Sequence, residues 1–228
     1  MIRVENLSKS FNSQVVLDDV SFCIDDGSLV VVLGPSGTGK SVLLKSILGL
    51  MSVDSGEVIF DGKSIQNATA NELYEIRKQV GFVFQGTALF DSMNVAENIA
   101  LPLREHTNLS SKDIRERVCH LLEVVGMEGK ADLYPQSLSG GMKRLIAVAR
   151  ALALGPRYLF YDEPTTGLDP IMTDRVVALI KDLKKRYKNS GIVVTHDLST
   201  AKAVGDQIYM LKKGKITKLT KIEKELYD

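Results

Sequence analysis

The chain has 228 residues, a length that suits one sizeable α/β domain or one domain with a subdomain inserted into it. Apolar residues make up 44% and charged residues 25%, with 18 glycines and 6 prolines, which excludes a low-complexity or disordered polymer. The formal charge of +1, from 29 basic and 28 acidic residues, gives no electrostatic footprint for nucleic acid or anionic lipid.

The opening segment MIRVENLSKSF has no basic region followed by an apolar stretch, so no secretory signal is expected there. The strands expected in the first third are residues 2–7, 15–24 and 57–62, rich in β-branched and aromatic residues and flanked by Asn, Asp and Gly turns. Between them SLVVVLG, 28–34, is continuously apolar, as in a strand covered on both faces. That run is far short of the roughly 20 residues a membrane-spanning helix needs, so any membrane role requires a partner. A helix follows at 40–50, then a buried strand at 80–85. The pattern turns helical over 94–126, with Ser110, Ser111 and Asp113 as N-cap signals, and is helical again over 142–154. Short strands are expected at 157–162 and 191–196 with a helix at 172–187 between them. Strands and helices thus alternate at the two ends around a helix-rich block at about 88–150, which suggests an α/β core with a helical subdomain. Cys23 and Cys119 sit far apart in apolar patterns and are expected to be buried and reduced. No Cys/His spacing resembles a zinc site.

Three stretches and four single residues carry chemistry. GPSGTGKS, 34–41, fits the phosphate-loop pattern and lies between a strand and a helix. Gly34, Pro35, Ser36, Gly37, Thr38 and Gly39 let the backbone wrap phosphate, Lys40 supplies charge to the β- and γ-phosphates, and the Ser41 hydroxyl can ligate Mg²⁺. YLFYDEP, 158–164, ends an apolar strand in two carboxylates: Asp162 is placed to hold Mg²⁺ and Glu163 to polarise an attacking water, although a simple turn is the alternative. QSLSGGMKR, 136–144, sets Ser139, Gly140 and Gly141 at a helix start, a second turn suited to phosphate. Gln85 follows a buried strand, where it could reach Mg²⁺ or water or merely end the strand, and His196 ends another, where it could meet a γ-phosphate. Phe11 could stack on an adenine ring or belong to the core, and Asp169 could be a turn residue or an interface contact. His106 and His120 read as surface or helix residues.

In this order these motifs resemble the nucleotide-binding subunit of ATP-binding-cassette transporters, from the first strand to about residue 214. The signature LSGGM departs from the commonest form, with Met142 where Gln is usual. The stretch 84–109, FQGTALFDSMNVAENIALPLREHTNL, and the Met-bearing signature are similar to the ATPase of Mla-type, toluene-tolerance-like phospholipid transporters. FQGTALF is not letter-for-letter that subgroup's opening. The resemblance implies a phosphate-loop NTPase core with an N-terminal antiparallel β-subdomain and an inserted helical subdomain, all one nucleotide-binding domain over 1–228. It implies ATP and Mg²⁺ as ligands, with Lys40, Gln85, Glu163 and His196 catalytic, and a homodimer in which Ser139, Gly140 and Gly141 of one subunit face ATP held by the other. It also implies a membrane permease docking near 86–109, an extracytoplasmic lipid-binding partner reached through that permease, and a peripheral place on the cytoplasmic face of the inner membrane. Other readings are a small-molecule kinase, which has no use for LSGG plus His196, and a cassette of DNA repair or translation, which carries a coiled coil or a second cassette. Within transport the rivals are lipoprotein release and amino-acid uptake. The Lys-rich tail, 212–228, reads as a solvated hairpin and final helix, with a regulatory or lipid-headgroup contact as the alternative.

Overall fold

The computed structural model describes residues 1–220; the final helix expected at the Lys-rich tail falls on 221–228, outside the described residues. The chain packs as two units, Met1–Leu73 joined by the part from Ser190 onward, and Tyr74–Asn189.

In the first unit, β1 (Ile2–Phe11), β2 (Gln14–Ile24), β4 (Ser55–Phe60) and the two-residue β5 (Lys63–Ser64) form an antiparallel sheet in the order β2-β1-β4-β5. This is the N-terminal antiparallel subdomain that the family resemblance implied. Val20, Phe22 and Ile24 alternate toward the core along β2, as the two-residue strand period requires, while Leu17 also faces the core because the register with β1 shifts between Leu17 and Val20. The same alternation turns Cys23 outward, and Cys119 falls on the solvent face of a helix, so both cysteines are exposed rather than buried. An apolar neighbourhood in sequence does not set the face a residue occupies; period and phase do.

The continuously apolar run becomes β3 (Leu29–Leu33), buried along its whole length. It lies parallel to and between β8 (Ser190–Thr195) and β9 (Gln207–Lys212), which cover its two edges. β10 (Lys215–Lys218) pairs antiparallel with β9, the hairpin expected near the tail. α1 (Lys40–Ile47) follows β3, and α7 (Leu198–Val204) follows β8. Asp197 caps α7, its carboxylate accepting from the Ser199 and Thr200 backbones.

α2 (Ala70–Lys78) leads into the second unit, where β6 (Val80–Val83) lies parallel to β7 (Tyr158–Asp162). The helical run 94–126 resolves into α3 (Val95–His106) and α4 (Ser111–Val124), each opened by a full capping box, Asn94 with Glu97 and Ser110 with Asp113. A 3-10 turn, Pro135–Ser137, precedes α5 (Gly140–Ala151), and α6 (Pro170–Tyr187) follows β7. β7 is buried throughout, with Tyr158, Phe160 and Tyr161 at 1% exposure or less. Sequence patterning missed α2, α7 and β9, which are short or amphipathic over too few residues to show a period.

Candidate functional site

In the first unit the phosphate loop joins β3 to α1. The Gly34 N–H donates to the Thr195 carbonyl (3.2 Å), which ties the loop to the end of β8. Two of its glycines answer to close approach. A Cβ on Gly34 would lie 2.5 Å from the Leu211 carbonyl oxygen, and one on Gly39 would lie 2.6 Å from Val16 Cγ1, with φ at +97°. Lys40 is buried, its Nζ donating to the carbonyls of Gly34 (2.7 Å) and Pro35 (2.9 Å), so the ammonium rests inside the curl of the loop. Gly39 caps α1 without a side chain and no carboxylate enters its first turn, whereas α3, α4, α5, α6 and α7 are all capped by side chains. That arrangement fits a polyphosphate, which takes the place of a cap at the positive end of the helix.

Phe11 and His196 belong to the same unit. Phe11 pairs with Gln14 across the β1–β2 turn, two residues before the Val16 that abuts Gly39. The hairpin end carrying Phe11 therefore borders the loop. Its ring is 42% exposed, which removes the core alternative, and Lys9 Nζ lies 5.3 Å from the ring centroid. His196 is exposed and comes one residue after the carbonyl that anchors Gly34. Burial works against ionisation of the neighbouring Asp197, but hydrogen bonds from Thr200 and Ser199, with attraction to His196, hold its carboxyl below the usual range.

In the second unit Asp162 ends β7 and Glu163 follows it, both buried at 6% exposure. Glu163 has φ at +48°, and its Oε2 accepts from Thr166 Oγ1 (2.9 Å). Parallel register sets Val83 beside Tyr161, so the chain leaving β6 carries Gln85 level with the carboxylates; Gln85 is exposed. Arg144 of α5 is buried near them. Burial lowers its guanidinium pKa, and the charges of Asp162 and Glu163 oppose that loss. Its Nη1 donates to the Phe84 carbonyl (2.7 Å), one residue before Gln85.

The segment after Gln85 is gripped by side chains that sequence reading did not single out. Arg150 donates to the carbonyls of Ala88 (2.7 Å) and Thr87 (2.9 Å), residues with φ at +51° and +61°. Asn98, fully buried on α3, accepts from the Phe90 N–H and donates to the carbonyls of Phe90, Met93 and Asn94. The Arg150 contacts reach 62 and 63 residues back along the chain, whereas those of Asn98 reach only 4 to 8, and no local pattern announces either. Beside this segment lies a cleft of about 790 Å³, floored by Val80, Phe82, Phe84, Leu101 and Pro102 and bordered by Arg150.

Ser139 caps α5, its Oγ accepting from the Met142 N–H (3.2 Å). With one lone pair so engaged, the hydroxyl keeps its own hydrogen available to donate to an anion. Ser139 and Gly140 are exposed and Gly141 is buried. Asp169 caps α6 through Met172 N (3.0 Å).

The family model described as ABC transporter matches residues 17–166. The intermembrane phospholipid transport system ATP-binding protein MlaF of Haemophilus influenzae is 41% identical over 95% of this chain and 82% of its own length. The probable ribonucleotide transport ATP-binding protein mkl of Mycobacterium tuberculosis is 44% identical over 92% of this chain, which spans only 58% of that protein. A dimeric ATP-binding cassette solved in a post-hydrolysis state with ADP and Pi superposes with a TM-score of 0.88, at 33% identity, covering 97% of this chain and 100% of the other.

Proposed function

The chain belongs to the ABC transporter family, and on that premise we propose that it is the ATP-hydrolysing subunit powering phospholipid transport across a cell envelope. The observation that carries the ATPase reading is the phosphate loop itself: Lys40 seated within it, and a first turn of α1 that no side chain caps. The phospholipid cargo is supported by the likeness to MlaF, which extends over 95% of the chain. The likeness to the mkl protein favours ribonucleotide cargo as a second reading, over a smaller share of that relative.

In this reading the whole chain is a single nucleotide-binding domain, with about 88–150 as its helical subdomain. Gly34 to Gly39 curl around the phosphates, with the backbone N–H groups of Ser36 to Gly39 as donors, Lys40 neutralises the β- and γ-phosphates, and Phe11 stacks on the adenine. Ser41, Gln85 and Asp162 offer hydroxyl, amide and carboxylate oxygens, the hard donor set that suits Mg²⁺. When bound, that ion neutralises charge on the phosphates. Glu163 orients the attacking water, and His196 steadies the γ-phosphate. Two copies close head to tail, and the Ser139 hydroxyl and the Gly140 and Gly141 backbone of one cap the γ-phosphate held by the other. The apolar cleft beside 86–109 receives a helix of the membrane permease, which in turn engages an extracytoplasmic lipid-binding partner. No helix among the described residues is long and apolar enough to cross a membrane. In this reading the permease supplies the membrane part, and the chain sits peripherally on the cytoplasmic face of the inner membrane, as the likeness to MlaF supports.

The test is Glu163→Gln in complex with the permease. Nucleotide binding should match the parent while turnover falls about a hundredfold or more. Turnover at the parent rate would refute the role of Glu163. Mass spectrometry of lipids retained by the complex tests the cargo: ribonucleotide without phospholipid would overturn it.

A further inference from the structure

Two glycines open α5, and they are glycines for different reasons. A Cβ built on Gly140 meets nothing within 4 Å, so nothing among the described residues demands the small residue there. A Cβ on Gly141 would lie 2.5, 2.8 and 3.1 Å from Cε, Cγ and Cβ of Met172. Only the first of those atoms is a freely movable tip, so the methyl would have to push the two helix starts apart.

Met172 is itself fixed. Its N–H is held by the Asp169 cap of α6, and one turn later Arg175 donates to the carbonyls of Val125 and Gly126 at the end of α4. Positions 172 and 175 thus bind the start of α6 to the start of α5 and the end of α4, as the helical i, i+3 spacing allows. Ile171, one residue before Met172, turns outward. At 80% exposure it is the barest large apolar side chain among the described residues. A lone exposed apolar residue needs no explanation. One joined through Met172 to the exposed Ser139 and Gly140 is different, because it continues a face already assigned to a partner.

We propose that Met172 is a positioning residue that locks the starts of α5 and α6 into one block. Ser139, Gly140 and Ile171 then form a single face for a second copy of this chain, with Ile171 as its apolar contact. The inference rests on the reading above, that two copies close on ATP.

The experiment measures ATP-driven dimerisation by light scattering in a Glu163→Gln background, where bound ATP persists. No dimer in that parent would overturn the pairing reading and this inference with it. Gly141→Ala should weaken dimerisation about tenfold or more, a loss typical of one disturbed central contact, and adding Met172→Ala should restore most of it. Gly140→Ala should weaken it equally, and Met172→Ala should not restore it. If Met172→Ala fails to rescue Gly141→Ala, the lock is wrong. Ile171→Glu, at so exposed a position, keeps the fold; it should bind nucleotide as an open monomer and dimerise about tenfold more weakly or worse. Parent-level dimerisation of Ile171→Glu would remove Ile171 from the face.

Discussion

Asn98→Ala is expected to destabilise the second unit far more than a mid-helix polar-to-alanine change ordinarily does. The side chain is fully buried and engages the Phe90 N–H (2.8 Å) and the carbonyls of Phe90 (3.1 Å), Met93 (3.0 Å) and Asn94 (3.0 Å). An amide has two hydrogens, so the three carbonyls share them and the effective number of bonds is three rather than four. At about 1 kcal/mol net each, with further cost for buried backbone groups left unpaired, the loss is roughly 3–5 kcal/mol. Alanine's better helix propensity returns only about half a kcal/mol. Urea unfolding followed by far-UV circular dichroism measures this. Asn98→Asp sharpens the test, because the introduced carboxylate still accepts from Phe90 but faces three carbonyl oxygens with no hydrogen to offer. Burial and those dipoles raise its folded pKa above the unfolded value. The folded state then binds more protons, and this variant loses stability as pH rises from about 4 toward neutrality. A cost below about 1 kcal/mol for Asn98→Ala would show that the 90–94 turn does not depend on Asn98. An Asn98→Asp variant indifferent to pH would show the carbonyls are not where the hydrogen bonds place them.

The Asp197 cap gives a pH signature of opposite sign. Its folded pKa is depressed below 3.8, so its stabilisation of α7 is fully present above that value and lost as pH falls through the folded one; the gap between parent and Asp197→Asn should be constant from pH 7 to about 5 and narrow below it. Gly39→Ala should abolish measurable ATP binding, since the methyl meets Val16 at a backbone φ of +97°, and ATP titration at parent affinity would contradict the close approach. Phe11→Ala should weaken ATP binding about tenfold, the low end of a lost base stack, while leaving pyrophosphate binding unchanged; equal losses for both ligands would place the ring on the loop rather than on the base. Arg150→Lys replaces a fork that spans two carbonyls with a point charge, so permease binding should weaken while ATP affinity of the free chain holds, as parallel pull-down and titration would reveal.

The elements that announce themselves in the sequence are those whose cause is local. LVVVL reads as a doubly covered strand because every residue is apolar, and Ser110 with Asp113 reads as a helix start because capping acts over three residues. The phosphate loop is legible for the same reason: its glycines, Lys40 and Ser41 are contiguous. What stayed hidden is either a matter of phase, as with Cys23, or of distance along the chain. Arg144 reaches a carbonyl 60 residues away and Arg150 one 62 residues away, and in sequence both are ordinary charges on a helix. Asn98 reads as a polar interruption of an apolar run, although its hydrogen bonds hold the backbone of Phe90, which lines the cleft. The left-handed backbone of Glu163 is equally silent, since nothing in YDEP distinguishes it from a simple turn.

One rod carries both ends of this arrangement. α5 has 12 residues and is therefore about 18 Å long, with Ser139 at its tip and Arg150 near its base. A helix of that length does not compress, so it acts as a lever. A tilt of about 10° displaces one end by about 3 Å relative to the other, which is the breadth of a hydrogen bond. A rigid tilt of α5 that moved the glycine tip would therefore also be felt at the guanidinium grip on Thr87 and Ala88.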